Sequence, residues 1–160
     1  MKVLLQDIKK IETEALIVGF FEDVRPLKGF AGELDWLLCG TLSSLIINKK
    51  LRGCLGDVAL LTSQGKLPTQ KIFLVGLGRN AEFSSSVLRS AVKTAAASAL
   101  GAGVRRAAIE FFLSPDARFD SSVSAFSEGL SQGTKGRSFD VSLIAPNAAA
   151  YEKIARLLDQ

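Results

Sequence analysis

The sequence predicts an α/β fold in which a mixed, mostly parallel sheet of about six strands lies between layers of helices. Three observations carry this reading. Short runs rich in Val, Ile, Leu and Phe alternate along the chain with longer segments of helical periodicity. The strand-like runs are apolar almost throughout, as in sheets covered on both faces, where one-sided sheets alternate apolar with polar residues. Helix start and stop residues fall between the runs. At 160 residues, 48% hydrophobic and 22% charged, the chain is long enough to bury one core, and a single domain over residues 1–160 is expected.

Strands are expected at residues 3–5, 15–20, 58–61, 71–77, 107–113 and 141–144. The first helix is expected over 33–47, where Leu34, Leu37, Leu38, Leu42, Leu45 and Ile46 recur at helical spacing, with Cys39 and Gly40 inside it. Lys49 and Lys50 follow at the end where the helix dipole favours positive charge. Trp36, near the helix start, reads as a packing residue. The second helix opens at the Ser84-Ser85-Ser86 cap, carries Leu88, Ala91, Val92, Ala95, Ala96 and Ala99, and stops at Gly101 and Gly103. Its alanine-rich face is expected to sit close against the sheet. Phe119, Val123, Phe126 and Leu130 suggest a third helix, and Asn147 caps a fourth that carries Tyr151, Ile154, Ala155 and Leu158. Between them, residues 131–138 hold Gly133, Lys135, Gly136 and Arg137 and read as a polar loop, the candidate for a mobile segment.

Composition also excludes chemistry. The chain has no histidine, which removes Ser-His dyads and the usual zinc ligands. Cys39 and Cys54, its two cysteines, read as reduced thiols in the folded interior or at its edge. No catalytic residue, metal ligand or cofactor is assigned. No apolar run approaches the roughly 20 residues of a membrane-spanning helix, so no membrane segment is expected. Gln6 and Asp7 arrive before any signal-peptide stretch, which points to the cytoplasm. The net charge of +4 is spread over pairs such as Lys9-Lys10, Lys49-Lys50 and Arg105-Arg106, the pattern of solvated faces, and this argues against a nucleic-acid partner.

Two stretches go beyond fold class. The first is Gly56-Asp57-Val58-Ala59-Leu60-Leu61, then Gly65-Lys66-Leu67-Pro68, then Lys71-Ile72-Phe73-Leu74-Val75-Gly76-Leu77-Gly78-Arg79, then Phe83 and the alanine-rich helix. The second is Glu14-Ala15-Leu16-Ile17-Val18-Gly19-Phe20-Phe21-Glu22-Asp23 with Gly32-Glu33-Leu34-Asp35 and the Arg52-Gly53-Cys54-Leu55-Gly56 approach. In order and spacing they resemble the amino-terminal domain of the leucyl (cytosol) aminopeptidase family, and the resemblance covers nearly the whole chain. It implies a macro-domain-like, three-layer α/β/α sandwich.

In that family a larger catalytic domain follows and binds two divalent metals through a lysine, aspartates and a glutamate, with an Asn-Thr-Asp-Ala-Glu-Gly-Arg type motif. Nothing in this chain matches that motif. Gln160 falls about where the connection to the catalytic half would begin, so a noncatalytic, stand-alone domain is expected. Its expected role is a protein-interaction or regulatory module, with a second copy or a full-length aminopeptidase as partner. An alternative is the amino-terminal part of a metallo-aminopeptidase whose catalytic half lies on another chain. DNA binding, known for some bacterial members of the family, is a weaker alternative.

The macro-like fold raises a further alternative, an ADP-ribose-type nucleotide ligand. The second strand of ligand-binding macro domains resembles Asp-Ala-Ile-Val-Asn-Ala-Ala-Asn; here it reads Glu14-Ala15-Leu16-Ile17-Val18-Gly19-Phe20-Phe21, with an acid kept and both asparagines lost. Glu14 is thus the candidate base-recognition acid. Gly29, Phe30, Ala31 and Gly32, expected just before a helix, are candidates for a phosphate loop through free backbone N–H groups. The second phosphate loop falls on Ser114-Pro115-Asp116-Ala117-Arg118, where the aspartate would repel phosphate. Gly76-Leu77-Gly78 reads as a tight strand-to-helix turn, because a third dinucleotide-type glycine would fall on Ala81.

Overall fold

The six apolar runs form six strands of one sheet: β1 (Lys2–Leu4), β2 (Ala15–Phe20), β3 (Val58–Thr62), β4 (Lys71–Gly76), β5 (Arg106–Glu110) and β6 (Asp140–Ile144). The computed structural model describes residues 1–113 and 118–159, the side chain of Phe119 excepted. Strand order is β1-β6-β5-β2-β4-β3, and every neighbouring pair is parallel except β3 with β4. The sheet is therefore mixed and mostly parallel. β5 ends at Glu110, short of residue 113, because its register with β2 stops at Ile17 opposite Ile109.

All six positions of β2 are buried, and successive residues serve opposite faces. Ala15 and Ile17 join Phe73, Val75, Ala107 and Ile109 beneath α3 (Ser85–Gly101), α4 (Phe119–Thr134) and α5 (Ala148–Leu158). Leu16, Val18 and Phe20 turn the other way, with Ile72 and Leu74, beneath α1 (Gly29–Leu37) and α2 (Thr41–Ile47). Helices thus cover both faces, giving three layers. Each large apolar side chain taken from water contributes about 2 kcal/mol, so both faces of the sheet are needed to hold it. The Ser84 hydroxyl accepts the Val87 N–H at 3.3 Å and the Asn147 side chain accepts the Ala150 N–H at 2.8 Å, the two caps that the sequence predicts.

Four expectations are corrected. The helix expected over 33–47 is two helices bent by 104°, and the first begins earlier, at Gly29. Cys39 at φ 56° and Gly40 at φ 82° stand in the left-handed region and break the helix between them. Asp35 then caps α2 from α1, its carboxylate accepting the Ser43 N–H at 3.0 Å and also the Ser43 hydroxyl. Leu34, Leu38 and Leu42 all bury against the same sheet face, so the apolar spacing runs unbroken through the bend.

Residues 131–134, expected in a loop, belong to α4, which ends at Thr134 with left-handed Lys135 as its cap. Gly133 is what permits this. A Cβ there would lie 2.5 Å from the Lys93 carbonyl oxygen of α3, so the glycine lets two backbones meet where sequence suggests a breaker. Cys39 is exposed instead of interior, and Trp36 is 81% exposed and not a packing residue. Both Cys39 and Cys54 are free thiols. Among the described residues, no single helix is long and apolar enough to cross a membrane.

Candidate functional site

Parallel strands leave their carboxyl ends facing a crevice, the usual place for a ligand in such sheets. Here the ends of β2, β4 and β5 open into a cleft of about 330 Å³ lined by Gly19, Phe20, Phe21, Val24, Leu27, Lys28, Gly29, Leu77, Asn80, Glu110, Phe112 and Leu113. Its walls are largely apolar and aromatic, with few polar groups. Gly19 sets its floor: a Cβ there would come within 2.9 Å of both Leu77 and Phe112, which close together only because the position is bare.

Glu110 is the polar group that the fold positions most firmly. Where β5 leaves the register with β2, the Gly19 N–H loses its strand partner, and the Glu110 carboxylate accepts it instead at 2.9 Å. The side chain is half-buried in the cleft wall. Desolvation pushes its pKa up to about 8, against the opposing pull of the Gly19 N–H, so the group is mostly a neutral carboxylic acid at pH 7. An acid of that kind both accepts and donates.

Lys28 is the residue before α1, and its side chain does not cap the helix. The first turn therefore leaves the N–H groups of Gly29, Phe30 and Ala31 without intrahelical acceptors, while the Gly32 N–H bonds back to the Lys28 carbonyl at 3.2 Å. The four predicted phosphate-loop positions are thus the opening turn of the helix, not a loop ahead of it. Gly32 has a packing reason of its own, since a Cβ there would lie 2.5 Å from the Leu27 carbonyl oxygen. On the opposite wall, Asn80 donates its backbone N–H to Asp23 at 3.0 Å, while its side-chain oxygen is shut from solvent and meets no donor among the described residues.

Glu14 lies elsewhere. It precedes β2, at the amino-terminal end of the strands, and it accepts the Arg105 N–H at 3.3 Å and stands 3.9 Å from the Arg106 guanidinium. Four strand residues lie between it and Gly19 at the cleft floor, a span of about 16 Å at the rise of a parallel strand. The structure does not bring it together with Gly29 and Gly32. The Arg105-Arg106 pair shares its end of the sheet. Lys49 lies near the other end, in a shallow groove with Glu22, Arg25, Arg52 and Arg79, so the basic pairs do not make one face. In that groove Arg79 bridges Glu22 at 3.1 Å, and Glu22 in turn holds the Cys54 thiol pKa above its ordinary value.

The second candidate phosphate loop lies outside the described residues, as residues 114–117 are not among them. Gly76-Leu77-Gly78 is a turn, with Gly78 at φ 76°. Gly76 is required by contact, because a Cβ there would sit 2.1 Å from the Cys54 carbonyl oxygen. A short 3-10 turn, Asn80–Glu82, separates it from α3, so no helix start faces these glycines as a dinucleotide turn requires. Among the described residues, no group of three or more Cys, Asp or Glu side chains is placed to hold a metal ion. Glu110 was missed as a site residue on sequence grounds; its signal is a lone carboxylate inside the apolar run from Ile109 to Leu113.

Comparison with known proteins agrees with this architecture. The profile of the cytosol aminopeptidase family, N-terminal domain, matches residues 17–134. A probable cytosol aminopeptidase of Geotalea uraniireducens (strain Rf4) is 37% identical over 135 residues, which cover 82% of this chain and 26% of the relative. The chain thus spans about a quarter of that relative's length. Among solved structures, a tomato leucine aminopeptidase variant superposes with a TM-score of 0.71 at 20% identity, over 98% of this chain and 35% of that one. An Oceanobacillus iheyensis macrodomain variant with ADPR gives a TM-score of 0.75 at 12% identity, over 98% and 90%. At such identities these two likenesses speak for the fold, a macro-like three-layer sandwich.

Proposed function

The chain belongs to the cytosol aminopeptidase family through its N-terminal domain, and from that premise we propose that residues 1–160 act as a noncatalytic interaction or regulatory module in the cytoplasm, docking on a second copy or on a full-length aminopeptidase. The observation that carries this reading is Trp36, an indole 81% exposed near the end of α1, with Ile47 78% exposed at the end of α2. Trp is the side chain whose burial contributes most at protein interfaces, and a free protein keeps few such groups in water.

The test mixes the purified chain with itself and with a full-length cytosol aminopeptidase from the same cytoplasm, by light scattering and tagged pull-down. The eluate is assayed on leucyl-p-nitroanilide with and without manganese. A stoichiometric complex that Trp36→Ala weakens at least ~10-fold supports the proposal, a change of about 1.4 kcal/mol and ordinary for an interface tryptophan. A chain that stays monomeric, leaves the aminopeptidase unbound, or hydrolyses the substrate when homogeneous sinks it.

A second reading has its own observation. The cleft at the strand ends, with the bare first turn of α1 beside Lys28, suits a small anion such as the phosphate of a nucleotide. The macrodomain neighbour carrying ADPR makes ADP-ribose the first ligand to try. A rise in thermal midpoint with ADP-ribose concentration would favour this reading.

A further inference from the structure

The cleft places two kinds of hydrogen-bonding group around one apolar space. The first turn of α1, beside Lys28, offers N–H donors and positive charge. Glu110 lines the cleft with one oxygen tied to the Gly19 N–H, and its carboxyl has no other hydrogen bond among the described residues. Phe20, Phe21 and Phe112 supply the wall between them. A ligand that satisfies both needs an anionic group and a carbonyl acceptor on an apolar body. Leaving a buried polar group unmet is costly, so a complementary edge decides the choice more than size does.

We propose that this cleft binds a small anion whose apolar body carries an amide or lactam carbonyl edge, with the anion at the Lys28–Gly29 turn and the edge carbonyl on the Glu110 carboxyl. The proposal rests on the reading that the cleft takes a small anion, and it adds the chemistry of the ligand. N-acylated apolar amino acids and pyrimidine nucleoside monophosphates share that chemistry. A fully ionised Glu110 would meet the carbonyl with a repelling charge; held protonated to about pH 8, it is a donor under ordinary conditions.

The charges around Glu110 leave this assignment intact. Among the described residues, Lys28 is the one other charged side chain in the cleft wall. β2 carries none, and β6 carries Asp140 at its far end. Glu22 is bridged to Arg79, Asp23 accepts the Asn80 N–H, and Arg25 donates to the Phe21 and Val24 carbonyls.

Calorimetric titration of the full chain with N-acetyl-L-phenylalanine, uridine 5′-monophosphate and 3-phenylpropanoate tests it. The third probe keeps the ring and the charge and lacks the edge. At about pH 6, one or both of the first two are expected to bind at least ~10-fold more tightly than the third. Which of them does so separates the two ligand sources. Moving to about pH 9 leaves roughly a tenth of Glu110 protonated, so the affinity for the acylated amino acid is expected to fall about 10-fold. The carboxylate probe avoids the phosphate ionisation near pH 6.

Glu110→Gln keeps an acceptor for the Gly19 N–H and a fixed donor for the ligand. It is expected to bind within about twofold of the unaltered chain and to lose the pH dependence. Equal affinity for 3-phenylpropanoate, or unchanged binding at about pH 9, overturns the role of Glu110 while the anion cleft stands. Failure of all three probes and of ADP-ribose overturns both. Should Glu110→Gln not fold by circular dichroism, the pH comparison on the unaltered chain still decides.

Discussion

Glu110 shows how one side chain takes its chemistry from its place. In sequence it is a carboxylate interrupting an apolar strand; in the fold it replaces the strand partner that Gly19 loses as β5 turns away. Burial raises its pKa from 4.5 to about 8, so the folded chain holds this proton more tightly than the unfolded chain does. The contribution to stability is therefore fully present below about pH 4.5, falls as pH rises toward about 8, and is flat above that. Urea unfolding across this range is expected to show the unaltered chain losing on the order of 5 kcal/mol relative to Glu110→Gln between those limits. Parallel pH profiles for the two proteins would contradict the assignment. Glu14, the acid that sequence comparison singles out, instead pairs with Arg105 and Arg106 at the far end of the strand, because strand position and not residue type decides which end of the sheet an acid reaches.

Helices depart from their sequence signals where backbones approach one another. Gly129 and Gly133 lie one turn apart on α4, and a Cβ at either would come within 2.6 Å of a carbonyl oxygen of α3. Alanine ordinarily favours a helix over glycine by about 1 kcal/mol. At Gly133 that gain is overridden, and Gly133→Ala is expected to lower stability by about 1–3 kcal/mol in thermal or urea unfolding. Gly101→Ala, at the end of α3 where a Cβ meets nothing within 4 Å, is expected to raise it by about 0.5 kcal/mol. If both changes stabilise, the close packing of α3 on α4 is wrong. The same limit on pattern reading applies to α1 and α2. Their leucine spacing is continuous, so only the left-handed residues at 39 and 40 mark the bend, and a lone Gly inside a helical pattern is usually tolerated.

For the molecule as a whole, the exposed indole gives a direct readout of docking. Trp36 is the one tryptophan of the chain. Its fluorescence is expected to be that of a water-exposed indole, open to acrylamide, and to shift to shorter wavelength with protection from quenching when the partner is added. A shielded indole in the isolated chain would remove the surface on which the interaction reading stands. The strands, the caps at Ser84 and Asn147, and the two-sided burial of the central sheet were legible in the sequence, because each is a short-range pattern of apolar spacing or of one side chain next to its own backbone. The bend between α1 and α2, the continuation of α4, the exposure of Trp36 and the cleft were settled by packing. Gly19, Gly29, Asn80 and Glu110 meet across a separation of 91 residues, and no local pattern encodes which strand ends will face one another or how much water they exclude.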